Sequence, residues 1–236
     1  MTLQVLPDAD ALAQAIAQRL TELVAGLQAQ GRTPRLVLTG GSIAAAAYER
    51  IDADAADWSD VEFWFGDERF VPEGHADRND QQARDAFLDR VGAVQIHSVA
   101  GNDCSLSAAE AADRYAATLP EDPFDVVLLG MGPDAHVASL FPGFAQLREV
   151  DRDCVEVFDS PKPPPVRVSM TYPAINHSQA VWFLVSGEDK ADAVARALSA
   201  DGSVDETPAR GARGRQETRW LLDDAAASSR PDELRR

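Results

Sequence analysis

The chain of 236 residues is 45% hydrophobic and 26% charged, a balance that suits a folded domain with a substantial core and opposes disorder. Its 22 Lys+Arg against 39 Asp+Glu leave a formal charge of −17, which opposes nucleic acid and anionic membrane surfaces as partners, although a few chosen residues can still build a local cationic pocket. The two cysteines, Cys104 and Cys154, exclude a disulfide framework, and neither has Cys or His neighbours at zinc spacing.

The start, MTLQVLPDADALAQAIAQRL, is interrupted by Pro7, Asp8 and Asp10 and lacks both a basic cluster and a long apolar run. It reads as neither a signal peptide nor a membrane span, so a cytoplasmic location is expected. Leu12, Ile16, Leu20, Leu23 and Leu27 recur at helical spacing, with Gly31 as the stop signal. Arg35–Thr39 is a short apolar strand that runs into Gly40-Gly41-Ser42 and then the alanine-rich helix former IAAAAYERI. Val61–Gly66 predicts a second strand, ending at Asp67-Glu68-Arg69; after a loop holding Pro72, Gly74 and His75, a helix is predicted over 79–91.

A helix over 107–118 precedes the most apolar strand, Phe124–Leu129, which opens into Gly130-Met131-Gly132-Pro133-Asp134. Val155–Phe158, Val166–Met170 and Ala180–Val185 predict further strands. The last leads through Ser186-Gly187 into a helix over 188–198. Ser160–Pro165 (SPKPPP) is a stiff extended loop, since each proline fixes φ and removes a donor. The polar tail, 228–236, is expected to fray. No internal repeat is present, and the length suits a single domain over 1–236.

Strands alternating with helices predict an α/β fold, a mostly parallel sheet with helices on both faces in the Rossmann-like manner. Ligands bind such sheets beyond the carboxyl ends of the strands. That edge would gather Gly40-Gly41-Ser42, Gly66–Arg69, Gly130–His136 and Gly187–Lys190, which carry most of the chemically suggestive side chains.

Three groups stand out. The loop Gly40-Gly41-Ser42 lets backbone N–H groups approach an anion at a helix start. It also matches an ordinary serine-capped turn, and it lacks the lysine of a P-loop and the third glycine of a dinucleotide fingerprint. Asp134, two residues before His136, is placed to orient an imidazole as a general base; the alternative is a capping aspartate beside a solvated histidine. His75, His97 and His177 lack such surroundings and read as surface or packing residues. A metal shared by Asp134, His136 and Asp67 has no supporting ligand spacing. The third group is cationic: Arg69, Arg167 and Lys190, the last being one of only two lysines (with Lys162) beside 20 arginines. Each read singly is a solvated charge or, for Arg69 after two acids, a structural ion pair. Collected in an acidic chain they suggest a small anionic substrate.

The segments LTGGS (38–42), FGDERFVP (65–72), FDVVLLGMGPDAHVASLFPG (124–143), RVSMTYPAIN (167–176) and VWFLVSGEDKADAV (181–194), extended by PAR (208–210) and RWLLDDAAA (219–227), resemble the 6-phosphogluconolactonase family, which shares its fold group with glucosamine-6-phosphate deaminase. The deaminase branch normally continues after the histidine with Phe-Asn-Glu-Pro, whereas Ala138-Ser139-Leu140-Phe141-Pro142 has the lactonase form. The resemblance implies hydrolysis of 6-phospho-D-glucono-1,5-lactone to 6-phosphogluconate without metal or organic cofactor. It implies His136 as the base with Asp134 in support and Arg69 beside the reacting carbonyl. It places Gly40, Gly41, Ser42, Asp67, Arg167 and Lys190 at the substrate or its phosphate. The partner implied is a small sugar phosphate lactone, bound by a monomer or weak homodimer. A deaminase or isomerase of an amino sugar phosphate, and a regulatory domain that binds sugar phosphates without catalysis, are the alternatives.

Three positions depart from the family pattern. Asp-Ala-His at 134–136 replaces Asp-Gly-His; if that position needs φ > 0, alanine costs on the order of 1 kcal/mol. Ile43-Ala44 replaces Thr-Pro. Arg78-Asn79 replaces Ser-Asn, turning a small polar group into a cation.

Overall fold

The computed structural model describes residues 1–230. Its first strand, β1 (Thr2–Leu6), was not legible in the sequence, because an edge strand so short and half-exposed carries little apolar pattern. Helix α1 (Ala9–Gln28) follows; the Asp8 carboxylate accepts from Ala11 N at 2.8 Å and caps it. Leu12, Ile16, Leu20, Val24 and Leu27 form its buried stripe. Then come β2 (Arg35–Leu38), α2 (Ser42–Glu49), β3 (Glu62–Phe65) and β4 (Asp67–Arg69).

The helix expected over 79–91 is shorter and irregular. Its α-helical part is α3 (Asn79–Ala83), after which Arg84–Leu88 widen into a π turn. The extra residue per turn seats both Phe87 and Leu88 in the core, where Phe87 packs on Tyr48, Trp58 and Phe63. β5 (Gln95–Ile96), α4 (Ala108–Ala116) and β6 (Phe124–Gly130) complete the first half. In the second, β7 (Cys154–Val157), β8 (Arg167–Met170), α5 (Tyr172–Asn176), β9 (Ser178–Val185), α6 (Ala191–Leu198) and β10 (Glu217–Asp223) follow. The helix expected over 188–198 begins as a single tight turn, Glu188–Lys190, before α6.

Seven strands form one parallel sheet in the order β1-β10-β9-β6-β2-β3-β5. Period-two alternation divides their side chains between two cores. Leu36, Leu38, Phe63, Phe65, Val126 and Leu128 face α1 and α2, while Val37, Trp64, Val127, Leu129, Val181 and Phe183 face α4 and α6. The expected layering is therefore observed. The strands expected at 155–158 and 166–170 form as β7 and β8 but do not join this sheet. With β4 they make a separate antiparallel ribbon, β4-β8-β7. No helix among the described residues is long and apolar enough to cross a membrane. Most of the tail expected to fray, 231–236, lies outside the described residues; Ser228 and Arg230 still donate to the carbonyls of Ala225 and Ala227. Cys104 is exposed and Cys154 buried, and both are free thiols.

Candidate active site

The strands β9, β6, β2 and β3 are neighbours, so their carboxyl ends lie side by side, and the chain changes direction across the sheet between β6 and β2. Two buried tyrosines fasten these ends by substituting for a strand partner. Tyr48 donates to Thr39 O at 3.0 Å and accepts from Thr39 N at 3.1 Å; Tyr115 does the same for Phe65, at 2.9 and 2.7 Å. Thr39 Oγ1 then accepts from Gly130 N at 3.2 Å, tying the β2 and β6 loops together.

A cavity of about 290 Å³ opens above these ends. Gly41, at φ 104°, is itself the cap of α2, so Ser42 opens the helix instead of capping it and lines the cavity beside the free N–H groups of the first turn. Gly40 is glycine because an added Cβ would collide with the Asn79 amide.

Across the cavity a tight turn carries the acid–histidine pair. Asp134 Oδ1 lies 2.5 Å from His136 Nδ1 and also accepts from His136 N at 3.3 Å. The turn is closed by Ala135 N to Gly132 O (2.9 Å) and Gly132 N to His136 O (3.0 Å). Ala135 stands at φ 68°, so the position does demand the left-handed region that the family glycine serves; its carbonyl accepts from Ala209 N at 3.0 Å, which helps hold it there. Burial alone would raise the Asp134 carboxyl, but the hydrogen bond and charge of His136 outweigh it and hold the group at about 2. An ionised Asp134 keeps the proton on Nδ1 and leaves Nε2 as the basic nitrogen. The His136 ring, 14% exposed, packs on Phe141 with centroids 4.6 Å apart.

The cations arrive on the antiparallel ribbon, which sets Arg69 directly opposite Arg167. Arg69 makes no ion pair with the acids before it. Its Nη1 donates to Asp77 O at 2.9 Å and to the Asn79 side-chain oxygen. Glu68 turns away instead and accepts the backbone N–H groups of Arg69, Asn79 and Asp80 at 2.7–2.9 Å; burial and nearby Asp80 push its carboxyl upward, against the charge of Arg78 at 3.9 Å. The cation that replaces the family serine is thus absorbed structurally. Arg78 is fully buried, bidentate to Asp80 at 2.8 and 2.9 Å, and bonded to Val99 O at 2.6 Å.

Arg167 is buried as well, and the proline loop explains how. Its Nε and Nη2 donate to the carbonyls of Pro164, Lys162 and Pro163 at 3.1–3.3 Å, and Nη1 lies 3.8 Å from Asp67 Oδ2. Asp67 lines the cavity, but its oxygens are engaged by Ser139 Oγ (2.5 Å), Asn79 Nδ2 (3.2 Å) and Arg167, so it serves as a counter-ion that orients its neighbours. Lys190 also lines the cavity, with Nζ 2.7 Å from Asp189.

Gly40, Gly41, Ser42, Asp67, Arg69, His136, Arg167 and Lys190, all expected from the sequence, line one cavity, and Asp134 stands behind the histidine. Lys162, Asn79 and Ser186 line it too and were missed. The rarity of lysine was the available signal for Lys162. Asn79 and Ser186 gave none, since each is placed by a distant partner. Ser186 donates to Asp223 at 2.5 Å, and the same carboxylate accepts from Gly187 N at 3.1 Å, so the unexpected β10 fixes this loop. Asp67 does not join Asp134 and His136 as metal ligands: among the described residues no group of three or more His, Cys, Asp or Glu is placed to hold a metal. The other histidines do not line the cavity and are surface or packing residues. His97 stacks on Trp64 at 4.3 Å, His177 bridges Glu121 O and Arg215, and His75 accepts from Asp77 N.

The sequence and the fold are shared with known proteins. Residues 7–220 match the family model described as glucosamine-6-phosphate isomerases/6-phosphogluconolactonase. The chain is 46% identical to a 6-phosphogluconolactonase of Streptomyces coelicolor, covering 96% of this chain and 94% of that one, and 43% identical to one of Mycobacterium tuberculosis, covering 98% of each. The solved structure of a 6-phosphogluconolactonase from Thermotoga maritima superposes with a TM-score of 0.82 at 27% identity, over 94% of this chain and 99% of the other. The chain therefore belongs to the glucosamine-6-phosphate isomerase/6-phosphogluconolactonase family.

Proposed function

We propose that the protein hydrolyses 6-phospho-D-glucono-1,5-lactone to 6-phosphogluconate, the lactone-opening step of the oxidative pentose phosphate pathway. The observation that carries this reading is an oriented imidazole, Asp134–His136, opening into the same cavity as Ser42, Arg167 and Lys190. Its relatives of 38–46% identity, which it matches over most of its length, carry the lactonase name. The lactonase-type sequence after the histidine also has a use here, since Ser139 donates to Asp67, the counter-ion of Arg167.

In this mechanism the phosphate docks at the start of α2 and the cations around it, which sets the lactone carbonyl near His136. Nε2 takes a proton from water as its oxygen attacks that carbonyl, while Arg69 faces the developing oxyanion. The tetrahedral intermediate collapses by breaking the bond between the carbonyl carbon and the ring oxygen. The imidazolium, stabilised by Asp134, returns its proton to the departing oxygen, so histidine ends neutral and the product is a hydroxy acid. A lactone is already an activated ester, and no covalent enzyme intermediate is required.

The test is a coupled assay in which one dehydrogenase generates the lactone and a second reports 6-phosphogluconate, run quickly near neutral pH because the lactone also opens unaided. Hydrolysis well above the spontaneous rate is expected, falling ~10²–10⁴-fold in His136→Ala. A wild-type rate equal to the spontaneous one, or a His136→Ala rate equal to wild type, overturns the reading.

A further inference from the structure

The cations around the cavity are not equivalent. Lys190 already has Asp189 at 2.7 Å, and Arg167 spends its guanidinium on three loop carbonyls with Asp67 beyond them. Lys162 lines the same cavity, yet its ammonium makes no hydrogen bond and no ion pair among the described residues. Its backbone, by contrast, is fixed. Ser160 Oγ accepts from Lys162 N at 3.3 Å and donates to Lys162 O at 3.0 Å, and Ser160 N closes the loop onto Pro165 O at 3.0 Å. The flanking Pro161, Pro163 and Pro164 fix φ along the loop, and the carbonyls of Lys162, Pro163 and Pro164 accept from Arg167. Burial and the charges of Lys190 and Arg167 hold the Lys162 ammonium below the ordinary lysine value, with Asp134 and Asp189 acting in the opposite sense; cations crowded this way are relieved by an anion.

We propose that Lys162 is a principal ligand of the substrate's phosphate, and that Arg167 acts largely as the clasp that presents it. A phosphomonoester carries a charge of about −1.5 to −2 near neutral pH. Lys190 and Arg167 are partly neutralised by their own carboxylates, and Arg69, held by Asp77 O and the Asn79 side chain, faces the reacting carbonyl, so the uncompensated charge left to match the second phosphate charge belongs to Lys162. This places the specificity for a phosphorylated over an unphosphorylated lactone on the proline loop. The assignment rests on the lactonase reading for its substrate, though not for the anion site itself.

The test compares Lys162→Met and Lys162→Arg with wild type in two measurements. The first is the ratio of kcat/KM for the phosphorylated lactone to that for glucono-1,5-lactone. Loss of one charge-assisted contact should lower it ~10–100-fold in Lys162→Met, mainly through KM for the phosphorylated substrate, with Lys162→Arg keeping most of it. The second is the rise in thermal midpoint caused by 6-phosphogluconate, which should be clear for wild type and largely lost in Lys162→Met. Hydrolysis with both the ratio and the thermal shift preserved in Lys162→Met overturns the Lys162 assignment alone. No hydrolysis by wild type, with a thermal shift that Lys162→Met abolishes, overturns the lactonase reading alone. Absence of both from wild type overturns both.

Discussion

Gly132 packs its Cα against the imidazole of His136, and a methyl group at that position would collide with the ring and with Asp134 Oδ1. The Asp134–His136 contact of 2.5 Å therefore exists only because residue 132 has no side chain. Backbone and catalytic geometry are joined at this point, and the first prediction follows from it. Gly132→Ala should lower kcat to within about tenfold of His136→Ala, since either the ring or the carboxylate must move and base catalysis is worth ~10²–10⁴-fold. Near-normal turnover in the purified, folded variant would contradict the geometry.

Ala135 gives a prediction of a different kind. At φ 68° an alanine costs about 1–2 kcal/mol relative to the right-handed region, while glycine adds about 0.4–1 kcal/mol of unfolded-chain entropy and removes a fully buried methyl group worth about 0.8 kcal/mol. These terms nearly cancel, so Ala135→Gly should leave the unfolding free energy in urea within about 1 kcal/mol of wild type and kcat within about twofold. A larger loss of stability would mean that the bond from Ala209 N relieves the strain more fully than the dihedral suggests.

A third prediction concerns the turn behind the histidine. Arg210 donates to the carbonyls of Arg196, Ala197, Ser199 and Ala200, closing the end of α6, and the adjacent Ala209 N–H holds Ala135 O at 3.0 Å. Arg210→Ala should lose about 1–3 kcal/mol of stability and lower kcat more than it raises KM, because the disturbance reaches the histidine turn before it reaches the phosphate. Steady-state kinetics beside a denaturation curve would separate the two effects; an increase confined to KM would refute it.

Asp134 predicts an acid-side signature. Its folded carboxyl is held at about 2, below the ordinary 3.8, so its stabilising contribution is present above the ordinary value and disappears as pH falls through the folded one. The difference in unfolding free energy between wild type and Asp134→Asn should accordingly shrink as pH falls between about pH 4 and 2. A difference independent of pH over that range would mean that the carboxylate contributes nothing as a charge.

On the basic side, Lys162 leads to a matching expectation. Because its ammonium is held below the ordinary 10.5, affinity for 6-phosphogluconate should fall as pH rises toward that value, earlier than an unperturbed lysine would allow, with proton uptake on binding. Calorimetry in two buffers of different ionisation enthalpy would measure that uptake, which should be absent in Lys162→Met.

The repeated strand–glycine–helix punctuation, the switch of apolar period between two and 3.6, and the two-residue spacing of Asp134 and His136 are local properties. They made the layered fold and the pairing of Asp134 with His136 readable directly from the chain. Relations between distant segments were decided by tertiary structure, because no local preference encodes which strand pairs with which. Antiparallel pairing of β4 with β8 set Arg69 against Arg167 and released Arg69 from the acids beside it. Insertion of β10 between β1 and β9 brought Asp223 beneath Ser186 and Gly187, although its charged first half hid the strand. The place of Lys162 beside the cavity is set by a loop whose carbonyls are taken by buried Arg167, a relation that the run of prolines does not encode.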